Sequence, residues 1–398
     1  MEKKNYRPAH QKTKNKNSLK VILIVVALSV AIVVSAFLLV SWGEKNAAQN
    51  ENSNVITDDA SENEGLRVGK QSSEKGFPVS FSSSGIKDIK AVKNNIIVLT
   101  KEMINCVSKN GSHVFSEVLN YAEPVLKVSG KYGIVYDRLS GKYTVFNNRK
   151  ILFSKSTENE SQIITAQISP SGNYAITSRN SDSASLLSYY DKNGKLIYAW
   201  ACSKEYIVAV DIAENKKNIL CAALNAQNGE ILTKVYLLDV TKEETQWETE
   251  LEATAAIDCF FTSPSKAVIV CNDKRVALML KKDRPPVISS YSSGVMNYSS
   301  DSSGNSAIVT SKFGSFDSYE VTFYNSSNAI TGSAVVKEKI IDIKCIGQKA
   351  YVLTSNSVIT VSASGKISTK IELDDVELGL EVSGMNIYHF SLGYLFKN

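Results

Sequence analysis

Three histidines and six cysteines are the residues best suited to chemistry in this chain, and their spacing builds no reactive group. The histidines are His10, His113 and His389. No two have the spacing of metal ligands, and the helical H-E-x-x-H pair is absent. A Ser-His-Asp site would need His113 or His389 with a distant serine, and no G-x-S-x-G elbow supports one. His113 follows a Gly-Ser turn and His389 lies in an apolar strand pattern, so each reads as a packed or hydrogen-bonded side chain. The cysteines are Cys106, Cys202, Cys221, Cys259, Cys271 and Cys345, with no C-x-x-C among them. Five fall inside strand patterns, where a thiol packs as a small apolar group, and Cys202 follows an outer strand. A turn at 263–266 would set Cys259 opposite about Val270 and Asp258 opposite Cys271, so no bridge is expected and the thiols read as buried and free. The acidic pairs Asp58-Asp59, Glu243-Glu244 and Asp374-Asp375 sit in polar stretches or turns rather than in a cleft. Tyr189, Tyr190, Tyr291 and Tyr298 could stack on a sugar or peptide, but aromatic residues are equally at home packing a β-sheet. Phosphate-binding and calcium loops are absent. The prediction is no catalytic, metal-ligating or cofactor-binding residue, and no cofactor.

The elements that would position such residues begin with a tail. Residues 1–43 hold seven Lys/Arg and one acid, whereas the rest of the chain holds 38 basic and 39 acidic residues. The basicity of the whole chain, net +5, is therefore that of its N-terminus, and nucleic-acid binding by the body has little support. Residues 21–43 carry no charge and residues 21–40 are almost wholly apolar, long enough for a helix to span about 30 Å of hydrocarbon. The run is longer than the apolar core of a cleaved signal peptide, and Trp42 falls where an interfacial aromatic belongs. Residues 21–43 thus read as a transmembrane signal-anchor helix. The basic tail, 1–20, stays in the cytoplasm by the positive-inside rule, and the body lies outside. Ala27, Ala31 and Ser35 have helix-pairing spacing, but read better as lipid-facing filler. Residues 44–76, rich in Asn, Ser and acids, read as a disordered acidic stalk.

From Ile96 onward a short apolar strand recurs eight times, anchored at Val98, Val135, Ala175, Leu220, Val268, Ile308, Val352 and Tyr388, with gaps of 36 to 48 residues. Four short strands per repeat at this period mark a β-propeller blade. Around one copy the whole blade is visible. An alternating inner strand at 162–168 leads into the Ser169-Pro-Ser-Gly172 turn, the strand 174–178, the strand 185–190, the turn Asp191-Lys-Asn-Gly194 and an outer strand at 195–200. The last copy runs out after three strands, and Phe77-Pro-Val-Ser-Phe81 is available to complete it. The expectation for 77–398 is an all-β propeller of eight four-stranded blades, closed by an N-terminal strand, with seven blades as the alternative if the weak copy at Leu220 or the terminal one is irregular.

The Ser169-Pro-Ser-Gly-Asn-Tyr174 turn resembles that of WD-repeat propellers. Leu237-Leu-Asp-Val-Thr-Lys-Glu-Glu-Thr-Gln-Trp247 is similar to the repeat of quinoprotein-type propellers, without its glycine. No Trp-Asp dipeptide or Gly-His pair occurs. With its basic tail, span, stalk and divergent repeats, the chain resembles a family of membrane-anchored propellers of low-GC Gram-positive bacteria. That resemblance implies an envelope location and no particular activity; the quinone cofactor is not implied.

Since propellers are scaffolds for many functions, the reading is a non-catalytic protein-binding or assembly module at the plasma membrane. The lipid bilayer is engaged through residues 21–43 and the partner is an envelope protein. A wall-polysaccharide module using rim tyrosines is the second reading. A hydrolase with carboxylates in the central channel is the third.

Overall fold

The computed structural model describes residues 67–70, 74–81, 85–282, 284–312 and 318–398. The expected tail at 1–20, the span at 21–43 and the stalk up to residue 66 lie outside the described residues. Among the described residues, no helix is long and apolar enough to cross a membrane.

Eight antiparallel four-stranded sheets form a ring, a β-propeller. Blades 1 to 7 occupy residues 86–118, 124–156, 163–202, 206–251, 256–290, 295–336 and 340–372. Within each, strand A lies nearest the central channel and strands B, C and D follow outward in chain order. Blade 8 takes Gly379–Ser383, Asn386–Phe390 and Tyr394–Lys397 from the C-terminus, and Val79–Ser80 from the N-terminus as its outer strand. Val79 pairs with Leu395 and Ser80 with Tyr394, and Phe77 packs edge-on against Tyr388. The ring is thus closed by the borrowed strand that the repeat pattern called for, which gives blade 8 the same four strands as the other blades.

The recurring apolar signal is strand B of every blade. It is sandwiched within its own sheet and by both neighbouring blades, so both faces are buried and the sequence reads as a continuous apolar run. Tyr174–Ser178 is buried throughout, as are the last five residues of Asn95–Thr100. Strand D is half-exposed and more polar, which weakens its signal. The copy at Leu220 is irregular in sequence but forms the core of the long strand Asn218–Gln227. It pairs residue for residue with Glu230–Asp239 across the turn at Asn228 and Gly229. Both turn residues have positive φ, as a tight two-residue hairpin requires. Eight blades, not seven, is the count.

Eight buried apolar clusters lie between the blades, one for each neighbouring pair. Burying each Leu, Ile or Val in such a layer contributes about 1.5–3 kcal/mol. Blades approach closely where a side chain would intrude. A Cβ on Gly332 of blade 6 would fall 1.7 Å from the backbone oxygen of Ala363 in blade 7.

Two details depart from the sequence reading. The ordered architecture begins N-terminal to Phe77, inside the stretch assigned by composition to the stalk. Arg67–Lys70 lies parallel to Thr369, Lys370, Ile371 and Glu372 on the outer strand of blade 7. An outer strand presents unpaired backbone groups, and a polar segment can pair with them without apolar side chains. Composition does not register this kind of order. The Cys259 register also differs. Cys259 faces Ile269, and Ala256 faces Cys271, because irregularities between Ala256 and Asp258 and between Phe261 and Ser263 each shift the pairing by one residue.

Candidate functional site

Strand A of blades 1, 3, 4, 5, 6 and 7 carries a register shift at the same place near its start. The extra residues are Lys87, Ile164, Val208, Ile257, Met296 and Ile341. A bulge leaves a backbone group without its ladder partner. In three consecutive blades the next residue supplies one. The Oδ1 atoms of Asp258, Asn297 and Asp342 accept hydrogen bonds from the N–H of Cys259, Tyr298 and Ile343 at 2.9, 2.8 and 2.8 Å. The other side-chain atom reaches the following blade. Asp258 Oδ2 accepts from the Tyr298 hydroxyl at 3.1 Å, Asn297 Nδ2 donates to the Ile341 carbonyl at 3.2 Å, and Asp342 Oδ2 accepts from the Leu380 N–H at 2.9 Å. Asp211 Oδ2 accepts from the Phe261 N–H at 2.9 Å. These side chains clasp one blade to the next around the channel.

The same groups set the electrostatics of the channel. Burial pushes the Asp211 carboxyl up to about 6, against the N–H donors of Phe261 and Ile212, and the charge of Asp258 adds to the rise. Across the channel, Lys90 Nζ lies 2.8 Å from Asp88 Oδ1, and Lys344 Nζ 2.9 Å from Glu381 Oε2. Crowding alone would lower the Lys90 pKa, but Asp88, Glu381 and Asp342 outweigh it and the net shift is upward. Asp342 is raised by burial, opposed by the N–H groups of Leu380 and Ile343 and by Lys90. Carboxylates therefore do converge in the channel. The pair Asp211 and Asp258 is committed to backbone and tyrosine donors that hold blades 4, 5 and 6 together.

The residues singled out from the sequence are placed as follows. His10 lies outside the described residues, as do Asp58 and Asp59. His113 is exposed at the start of an outer strand. His389 is fully buried, stacked on Phe396 at 5.2 Å, with Nε2 2.7 Å from Asn398 Nδ2 and Nδ1 3.3 Å from Glu377 Oε2. Glu377 is itself fully buried, which sequence reasoning missed because it follows the exposed Asp374-Asp375 and reads as part of a solvated turn. Glu243 and Glu244 are exposed in a turn. All six cysteines are buried and free. Burial pushes the thiols of Cys106 and Cys345 up to about 12 and those of Cys202 and Cys271 up to about 11. Tyr189 is buried, and its hydroxyl donates to the Lys216 carbonyl and accepts from Asn173. Tyr190 stacks on Tyr174 at 4.9 Å, Tyr291 packs edge-on to Tyr324, and Tyr298 holds Asp258. Among the described residues, no group of three or more His, Cys, Asp or Glu side chains is placed to hold a metal ion.

Blades 5 and 6 share the fewest buried apolar residues of any neighbouring pair, namely Val268, Val270, Ile308 and Tyr324. A polar bolt crosses there. Arg275 is fully buried in blade 5, and its guanidinium donates to Asn328 Oδ1 at 2.7 Å, Gly304 O at 2.8 Å and Asn325 O at 3.2 Å in blade 6. Asn328 Nδ2 returns hydrogen bonds to the carbonyls of Arg275 and Val287 at 2.9 and 2.8 Å. Burial lowers the Arg275 pKa to about 10, which leaves it charged at neutral pH.

A closed ring of eight such blades with an engaged channel defines a β-propeller whose free surfaces are its two loop-bearing faces and the rim of half-exposed outer strands. The chain belongs to the family of unknown function DUF5711, which matches it over residues 68–389. No curated protein matches the sequence. Among solved structures it is similar to Sqt1 of Saccharomyces cerevisiae, with a TM-score of 0.59 and 10% identity over 83% of this chain and 99% of that one. It is also similar to BamB of Moraxella catarrhalis, with a TM-score of 0.53 and 12% identity over 81% and 100% of the two chains. At such identities the likeness is one of fold.

Proposed function

We propose that this chain is a membrane-anchored β-propeller that binds a protein partner at the outer face of the plasma membrane and acts as a non-catalytic assembly scaffold. The observation that carries this reading is the use made of its reactive side chains. The channel acids clasp blades, the thiols are buried, and His389 is packed in the closing blade, which leaves the loop faces for binding. The apolar run at 21–43 and the basic tail before it support the anchor and its orientation. The test is crosslinking in intact envelopes, comparing the full-length chain with one ending at Gly76. A protein captured only by the full-length chain supports the reading, and retention on wall polymer with no protein captured refutes it.

A wall-polysaccharide reading has one observation in its favour. A cleft of ≈350 Å³ between blades 2 and 3 is lined by Glu158, Arg179, Asn180, Asp182 and Tyr190, a polar set with one aromatic ring. Loss of polymer retention in Tyr190→Ala and Asp182→Ala would support it.

A further inference from the structure

Strand direction alternates within every blade, so the A–B and C–D turns emerge on one face of the ring and the B–C and D–A connections on the other. By sequence, the first set of turns holds fourteen Lys/Arg and six Asp/Glu, and the second holds seven and thirteen. A body that is nearly neutral as a whole thus has one basic face and one acidic face. On the basic face the field is strongest over blades 1 to 3, where the turns hold seven basic residues and a single acid, Asp191. The Asp191 carboxylate is occupied by the N–H groups of Asn193 and Lys195 at 2.8 and 2.9 Å. None of these seven basic residues, all exposed, is in an ion pair among the described residues.

The surface is shaped as well as charged. Lys93, Lys131 and Arg149 line one cleft of ≈250 Å³ between blades 1 and 2. A second, of ≈350 Å³ between blades 2 and 3, is lined by Tyr132, Leu152, Phe153 and Lys192, and Asn147 lines both. The first cleft offers three cations and the second an apolar floor at a cationic edge. Lys131 Nζ lies 5.1 Å from the centre of the Tyr132 ring and Lys155 Nζ 5.2 Å from that of Phe153.

We propose that this double cleft docks an acidic protein segment that carries an apolar side chain among its carboxylates. The charge complementarity selects an anion, and the floor formed by Tyr132, Leu152 and Phe153 selects an apolar group beside it. A nucleic acid would stack bases on aromatic faces, but here one lysine ammonium lies over each ring and competes for that stacking. A bilayer would meet a flat basic surface, whereas these cations lie around concavities. The proposal rests on the protein-binding reading above and names the face and chemistry of the partner.

The test uses the full-length chain in detergent and four probes. These are a fluorescein-labelled Glu-Asp-Leu repeat peptide, a Glu-Asp-Ser repeat of equal length, polyphosphate, and vesicles containing anionic lipid. The expected order places the leucine peptide first. Its affinity falls on the order of tenfold or more at low salt when Lys93, Lys131, Arg149 and Lys192 are each changed to Glu. The milder pair Lys131→Gln and Arg149→Gln weakens it less, and Lys101→Glu with Arg138→Glu on the opposite face leaves it unchanged. Tighter binding of polyphosphate or vesicles, equal binding of the two peptides, or insensitivity to the four reversals overturns the proposal. Envelope crosslinking with the four-reversal chain separates the two readings. A partner still captured by that chain refutes this docking face and leaves the scaffold standing. Loss of the leucine peptide's binding in a protein that captures no partner in either form refutes the scaffold instead.

Discussion

Replacing Asn328 by glycine removes one side chain and leaves a backbone that still accepts its left-handed conformation, φ 68°. The substitution therefore isolates the bolt between blades 5 and 6. It deletes one hydrogen bond from a charged donor, Arg275, and two from the Asn328 amide to the carbonyls of Arg275 and Val287. A bond to a charged group contributes about 1.5–3 kcal/mol and a neutral one about 1, so the expected loss is about 3 kcal/mol once water has partly replaced the missing partners. The neighbouring apolar layer, four buried residues, is too thin to make up the loss by repacking. Asn328→Ala should be worse by about 1 kcal/mol, because alanine resists positive φ. Urea unfolding, read as the midpoint and slope for the wild type and both variants, measures the two differences. A glycine variant within about 0.5 kcal/mol of the wild type, the range of an ordinary surface substitution, would refute the bolt. An alanine variant as stable as the glycine one would refute the separation of backbone from side chain.

The buried cysteines should give no fast reaction with a thiol reagent in the native protein at mildly alkaline pH and six equivalents after denaturation; fast native labelling would mean the cores are open. Asp211→Asn keeps an acceptor for the Phe261 N–H and removes the raised carboxyl. Because the folded pKa of about 6 exceeds the ordinary 3.8, the wild-type group favours folding most below about pH 4, and that contribution is lost as pH rises through 6. The variant should gain on the wild type from pH 4 to 7 in urea unfolding, and parallel profiles would count against the assignment. Deleting residues 1–84 removes Val79–Ser80 and Phe77 and uncovers Tyr394–Lys397 as a longer open edge of a three-stranded blade 8. Size-exclusion chromatography should then show association or aggregation, while a chain beginning at residue 71 stays monodisperse relative to its parent.

Strand B could be read from sequence in all eight blades because it is buried on both sides and so is apolar at nearly every position. The closing strand was readable because a ring with three strands in its last blade demands a fourth. Arg67–Lys70 could not be read: it joins blade 7 through its backbone, and nothing in Arg-Val-Gly-Lys marks a strand. The clasps were hidden for a related reason. Asp258, Asn297 and Asp342 each follow a bulged residue, and a bulge breaks the two-residue alternation by which strands are read. The Ile340-Ile-Asp-Ile343 and Ala256-Ile-Asp-Cys259 pattern is a repeat signature, recognisable once the shift between its first and third residues is known. Glu377 and Arg275 had no sequence signal, since a buried charge in an acidic or basic run looks like its solvated neighbours.

Net charge was misleading for a topological reason that can be turned to use. In a ring of up-and-down blades the parity of a connection assigns its face, so charge is meaningful only when summed over odd and even connections separately. Summed over 77–398 together, 34 basic and 32 acidic residues nearly cancel, and a polyanion or an acidic partner looks unsupported. Summed by parity, the A–B and C–D turns stand at +8 and the B–C and D–A connections at −6. Exposed turn charges do little for stability, so, the buried Glu205 and Glu377 aside, their segregation answers to no requirement of the fold. A field of this kind acts on what approaches the ring, raising encounter rates on one face and opposing the same partner on the other, with an effect that falls as salt shortens the screening length. Salt dependence of partner capture is therefore the sign of this face at work, and the acidic segment it selects should be held at low ionic strength and released as ionic strength rises.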